Sequence, residues 1–207
     1  MKKLISLLLF ASPFFAKAQI GLKAGLNFTN VTNMSSISNS SSSGFNFGVF
    51  YATPYQKIFG SKTELVWSRQ GYSYATNKIT GKVNLDYIML PQYMCINITK
   101  FFQIQVGFQL AYLLNASADS SSVSNSSESG EISKAMDYYN RFNYGIGGGV
   151  EVHPFKGTLV GARINISLND LYKIPDSGSS GEQPAYASGI DVKANLFQIY
   201  VGWRFGK

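Results

Sequence analysis

The sequence predicts an all-β fold: an eight-stranded antiparallel up-and-down transmembrane β-barrel, preceded by a cleaved signal peptide. Three observations predict it. Apolar and polar residues alternate with period 2 through eight segments, the signature of strands with two different faces. Charged residues make up only 14% of the chain, and aromatic residues equally 14%; ordinary soluble domains carry about 25% charged residues. The connections between segments alternate in length and polarity, as the turns and loops of a membrane barrel do.

The first eighteen residues are expected to leave before folding. Lys2 and Lys3 form a basic start, and Leu4 to Phe15 is apolar apart from Ser6, Ser12 and Pro13. Ala16-Lys17-Ala18 then presents small residues at the two positions a signal peptidase reads, placing cleavage before Gln19. The apolar run is too short to cross a bilayer as a helix. Residues 1–18 are thus a signal peptide and residues 19–207 one β-barrel domain. Without the three lysines of the signal, 15 basic residues face 11 acidic ones, a net charge of +4. The basic residues are scattered, so no nucleic-acid track is present. Cys95 is the single cysteine, which excludes an intrachain disulfide and a cysteine-based metal site.

In chain order the predicted strands are 19–30, 44–54, 61–74, 82–96, 101–114, 139–152, 158–170 and 191–205. In the first, Ile20, Leu22, Ala24, Leu26 and Phe28 oppose Gly21, Lys23, Gly25 and Asn27. The fifth sets Phe102, Ile104, Val106, Phe108, Leu110 and Tyr112 against Gln103, Gln105, Gly107, Gln109 and Ala111. The seventh sets Val160, Ala162, Ile164, Ile166 and Leu168 against Gly161, Arg163, Asn165 and Ser167. In the last, Phe197, Ile199, Val201, Trp203 and Phe205 oppose Gln198, Tyr200, Gly202 and Arg204. Each segment reaches the roughly 9–11 residues that a tilted strand needs to cross the hydrocarbon layer. Pro91 cannot donate a ladder hydrogen bond, so the fourth strand needs a bulge or an end there.

Connections 54–60, 97–100 and 153–157 are short and read as periplasmic turns. Those at 31–43, 115–138 and 171–190 are long, Ser-rich and polar, and read as solvated extracellular loops.

An eight-stranded barrel is narrow, and its interior is filled by side chains or holds one small ligand. Alternation alone does not say which face turns inward; a soluble ligand-binding barrel would invert it. With the apolar face toward lipid, the lumen collects Lys23, Glu64, Asp86, Arg141, Glu151, Arg163 and Arg204. Four positive and three negative charges are then expected to pair across the lumen, because a lone buried charge is costly. Gly145, Gly147 and Gly149 make room for the long basic stems. Aromatic residues near strand ends are expected in the interfacial girdles: Tyr72, Tyr112, Tyr139 and Tyr172 on the loop side, Phe101, Phe102, Trp203 and Phe205 on the turn side.

Nothing in the chain builds an enzyme, a metal centre or a cofactor site. His153 is the single histidine and lies in a turn beside Pro154. No serine sits in a Gly-x-Ser-x-Gly elbow. Asp119, Glu128, Glu131, Asp137, Asp176 and Glu182 are too sparse for a carboxylate dyad. Gly145 to Gly149 lack the Lys-Ser/Thr and the helix of a phosphate loop, so they belong to a strand. Cys95 packs beside Met94 and Ile96 as an inert side chain.

The mature chain resembles the PorT-like outer-membrane β-barrel family along nearly its whole length. The resemblance is carried by Gly21-Leu22-Lys23-Ala24-Gly25-Leu26-Asn27, by Glu64-Leu65-Val66-Trp67-Ser68-Arg69-Gln70-Gly71, and by Leu85-Asp86-Tyr87-Ile88-Met89-Leu90-Pro91. Arg141-Phe142-Asn143-Tyr144-Gly145 and Gly161-Ala162-Arg163 complete it. The resemblance implies the barrel fold, an outer-membrane location in a Gram-negative bacterium and an association with secretion; it names no catalytic or ligand residues. The expected partners are outer-membrane lipid, the barrel-assembly machinery during insertion, and a surface or secretion protein met by the loops. A small-solute channel through the charged lumen is the alternative.

Overall fold

A computed structural model describes residues 19–32, 38–54, 57–76, 79–122, 139–172 and 193–205. The proposed signal, residues 1–18, and most of the second and third long loops lie outside the described residues. Eight strands follow one another: β1 (Gln19–Thr32), β2 (Ser38–Ala52), β3 (Phe59–Thr76), β4 (Ile79–Asn97), β5 (Phe102–Ser122), β6 (Phe142–Val152), β7 (Thr158–Ser167) and β8 (Lys193–Arg204). Each pairs antiparallel with its sequence neighbour, and β1 pairs with β8, from Gly21 against Arg204 to Thr32 against Lys193. Closure is what the bilayer demands: hydrocarbon supplies no water to satisfy the backbone groups of an open edge.

Burial identifies the faces. Leu22, Phe47, Val106, Ile164 and Val201 stand exposed on the outside, while Lys23, Gln105, Arg163 and Gln198 are buried inside. The apolar face therefore meets lipid and the polar face fills the lumen, the reverse of a soluble ligand-binding barrel. Pro91 sits within β4 opposite Gln109 of β5, without ending the strand.

Several strands run further than the hydrophobic alternation does. β2 begins at Ser38, within the Ser-rich stretch expected to be loop, and β5 continues to Ser122. β3 and β4 pair as far as Thr76 against Ile79, with two residues between them. β5 is thus 21 residues long, whereas β6, β7 and β8 have 11, 10 and 12. At about 3.3 Å per residue, β5 gains roughly 30 Å over its neighbour. Above the lipid, solvent accepts polar side chains on both faces, so the ladder continues without any apolar stripe to announce it. Register shifts accompany the extension, between Ser41 and Asn46 in β2 and between Asp86 and Tyr87 in β4.

β6 starts later than expected, at Phe142, although Tyr139 still forms an isolated bridge to Tyr172. The turn between β6 and β7 needs Gly157, whose φ of +86° is strained for a side-chain-bearing residue. Gly161 acts by its small size: a Cβ there would lie 2.4 Å from the Tyr200 ring, which crosses the lumen at that level.

Gly161→Ala is expected to destabilise the barrel by about 1–3 kcal/mol through overpacking. Gly148→Ala, where a Cβ meets only one carbonyl at 3.5 Å, should be near neutral. Urea titration of the protein folded into lipid vesicles checks both.

Candidate functional site: a filled lumen

Inward-facing residues of β1, β3, β6, β7 and β8 meet in the half of the lumen nearest the short turns. Glu64 lies at the centre. Its carboxylate accepts hydrogen bonds from Lys23 Nζ at 2.6 Å and from Arg163 Nη1 and Nη2 at 2.9 and 3.0 Å. Lys62 Nζ donates to Glu151 at 2.6 Å and stands 3.6 Å from Glu64, joining the two carboxylates. Tyr200 Oη and Gln105 Nε2 also donate to Glu151, at 3.1 and 3.0 Å. Arg204 and His153 approach the same carboxylate at 3.9 and 3.4 Å.

Aromatic rings line the cations. Arg163 lies 3.9 Å from the centroid of Tyr93, Lys62 4.3 Å from that of Phe50 and Lys23 4.4 Å from that of Tyr200. Ring quadrupoles supply part of the stabilisation that water would give these charges outside the lumen.

Of the expected lumen residues, the structure brings together Lys23, Glu64, Glu151, Arg163 and Arg204. It does not bring Asp86 or Arg141 to them. Asp86 faces outward and pairs with Arg69, accepting from Nε at 2.7 Å and Nη2 at 3.0 Å. The reason is parity: Asp86 alternates with Ile88 and Leu90, the lipid-side positions of β4. Arg141 has the inward parity of Asn143 and Gly145, but it precedes the first ladder residue of β6 and is exposed. Lys62 was missed, although it stands two residues before Glu64 on the same face. The cluster therefore sets four basic residues, Lys23, Lys62, Arg163 and Arg204, around two carboxylates, rather than the near balance expected. Of the three glycines expected to make room for basic stems, Gly149 lies against Arg163, where a Cβ would be 3.0 Å from the Arg163 Cβ. Gly147 instead leaves room for Asn165 and the Tyr93 hydroxyl.

Above the charges lies a layer of amides. Asn46 Nδ2 and Gln198 Nε2 donate to Asn27 Oδ1 at 2.7 and 2.9 Å, and Asn27 Nδ2 donates to Ser68 Oγ at 2.9 Å. Tyr93 donates to Asn165 Oδ1 at 2.8 Å. Nearer the loops the lumen turns apolar, packed with Val66, Val83, Leu85, Met89, Leu113 and Leu196. Tyr72, Tyr139 and Tyr172 close this cap. The Tyr72 hydroxyl meets those of Tyr139 and Tyr172 at 2.7 Å each, and all three rings are buried. Three residues expected in the loop-side girdle are therefore interior. Tyr72 shares the inward parity of Ser68 and Gln70, and mutual hydrogen bonding satisfies the hydroxyls. Tyr112, Phe101, Trp203 and Phe205 do face outward, and Phe102 is half-buried. Between amides and cap remains a cavity of about 10 Å³, bordered by Gln70, Gln109, Asn143 and Ser167. That is room for about one water.

His153, one residue beyond β6, is buried rather than a simple turn residue. Burial lowers its pKa below the ordinary 6.5; Glu151 opposes the shift, while Arg204 and Lys62 add to it. Cys95 is buried and inward-facing in β4.

Glu64→Ala strips Lys23 and Arg163 of their carboxylate and is expected to cost about 3–5 kcal/mol. Adding Arg163→Met should recover part of that loss, measured by urea titration in vesicles. His153 predicts a pH effect. The native imidazole resists protonation, so unfolding takes up a proton below pH 6.5. Stability is held above that value and falls as pH drops through it; in His153→Asn this component of the slope should vanish.

A family model described as "Outer membrane protein beta-barrel domain" matches residues 10–173. Neisserial surface protein A shares the fold with a TM-score of 0.54 at 10% identity, covering 91% of this chain and 99% of that one. Ail, the attachment invasion locus protein of Yersinia pestis, superposes with a TM-score of 0.49 at 13% identity, over 91% of this chain and 99% of its own. Outer Membrane Protein W of E. coli gives 0.45 at 15% identity, over 91% and 98%. Comparison of the sequence with curated proteins finds no match. With a closed barrel, a lipid-facing apolar wall and a family model spanning most of its length, the chain belongs to the outer membrane protein β-barrel domain family and resides in the outer membrane of a Gram-negative bacterium.

Proposed function

We propose that this protein is a non-enzymatic surface platform: a filled barrel that anchors extracellular loops, through which it engages a surface or secretion-associated protein partner. The observation that carries this reading is the filling of the lumen. A paired charge layer, an amide layer and an apolar cap succeed one another along the axis, and the space between the last two holds about one water. A conducting pore needs a continuous polar path. The apolar cap interrupts it.

The wall supports the same reading. β3, β4 and β5, of 18, 19 and 21 residues, rise beyond the shorter β6, β7 and β8, and hold a polar sheet above the membrane. In the chain 123–138 joins β5 to β6 and 173–192 precedes β8, and loops on a barrel scaffold are common carriers of binding. The PorT-like motifs, among them Glu64-Leu65-Val66-Trp67-Ser68 and Leu85-Asp86-Tyr87, make a secretion-associated partner the first to test. Export through a signal cleaved before Gln19, followed by insertion by the barrel-assembly machinery, completes the reading.

Replacement of residues 123–138 by a short Gly-Ser linker should change the set of proteins crosslinked to the barrel in intact cells. The variant should still fold into membranes. An unchanged set would count against the loops. Planar-bilayer recordings are expected to show no conductance; discrete steps would favour the solute channel instead. Intact mass of the protein recovered from outer membranes should correspond to a chain starting at Gln19, and retention of residues 1–18 would refute the cleavage.

A further inference from the structure

We propose that the periplasmic mouth of the barrel holds the phosphate of an anionic phospholipid from the inner leaflet. A cavity of about 280 Å³ opens there between the β4–β5 and β6–β7 turns, bordered by Lys100, Phe101, His153, Phe155, Lys156 and Arg204. That volume lies at the small end of ligand sites, the size of a headgroup rather than of a larger cofactor. Lys100 and Lys156 stand exposed at its lip, and Arg204 is buried in its floor.

Among the described residues, no carboxylate borders the cavity. Glu151 lies behind it, already joined to Lys62 at 2.6 Å. In the lumen behind it, four basic residues, Lys23, Lys62, Arg163 and Arg204, surround two carboxylates, Glu64 and Glu151. The turns add lysines. Residues 53–58, 98–101 and 153–157 contain no Asp or Glu, and each stretch carries one lysine: Lys57, Lys100 and Lys156. A phosphate in the cavity would accept from the two exposed ammonium groups and rest over a guanidinium, donor types that recognise phosphate.

The apolar rim selects an anion with a tail. Phe101 and Phe155 are 64% and 76% exposed, and Ile98 in the turn of Phe101, Ile58 before β3 and Phe59 at its start are exposed as well. Large apolar side chains beside lysines at a barrel end mark the headgroup level, where rings meet acyl chains and ammonium groups meet phosphates.

Native mass spectrometry of the purified full-length barrel in detergent tests this, with phosphatidylglycerol, phosphatidylcholine, glycerol phosphate and inorganic phosphate as probes. The protein should retain one phosphatidylglycerol in preference to phosphatidylcholine. The double variant Lys100→Ala/Lys156→Ala should weaken retention roughly 10- to 30-fold. Lys193→Ala, at the opposite end, should leave it unchanged. Both variants alter exposed or half-exposed side chains, and heat-modifiable migration on gels confirms that each is folded. Equal retention of the two lipids, or undiminished retention by the double variant, would overturn the site. Displacement of phosphatidylglycerol by equimolar glycerol phosphate or inorganic phosphate would overturn the lipid source and assign the cavity to a soluble phosphate.

Discussion

The rest of the barrel depends on one carboxylate. Glu64 of β3 ties Lys23 of β1 and Arg163 of β7 across the lumen, and Lys62 links it to Glu151 of β6. Four strands are thus held by charges that cannot reach water. Such a cluster is weak evidence for net stability, because desolvation offsets much of the attraction. Its value lies in specification. Any slip of one residue in register would turn these charges toward lipid and the apolar face inward. The alternation and the ion pairs therefore oppose the same error from opposite sides of the wall.

Filling the lumen in layers separates two tasks. The charged half sits near the turns, next to the mouth bordered by Lys100, Lys156 and Arg204. The apolar half sits under the loops and resembles the core of a soluble protein, with Leu, Val and Met packed beneath three tyrosine hydroxyls. The result is a lumen filled in layers, with a wall that runs further on β3–β5 than on β6–β8. The Arg69–Asp86 pair and the rings of Phe45 and Trp67 beside Arg69 decorate the outer face of that taller wall.

Much of this was legible from residue order. Period 2 in β1, β5, β7 and β8 separates lipid from lumen residue by residue, because each strand is half in hydrocarbon and cannot carry a misplaced charge cheaply. Parity also held the information for Lys62, Tyr72 and Asp86: each follows its strand's alternation, although the chemistry of Tyr72 and Asp86 points to the other face. Arg141 is different. Its parity is inward, but the ladder begins one residue later, so the rule has no force there. The Ser-rich starts and ends of β2 and β5 were illegible for a related reason. Above the membrane both faces meet water, and backbone pairing leaves no hydrophobic trace.

What the sequence determined by itself was the architecture: strand number, the two alternating faces of each strand, and the presence of buried opposite charges. These follow from local constraints, namely the length needed to cross a bilayer and the cost of charge against lipid. What only the tertiary structure decided was partnership. Lys23 and Glu64 are 41 residues apart, Glu64 and Arg163 are 99, and Tyr72 and Tyr172 are 100. Alternation states that a side chain points inward but not at what height it arrives. Height depends on the shear set by closing β1 on β8, a property of all eight registers together.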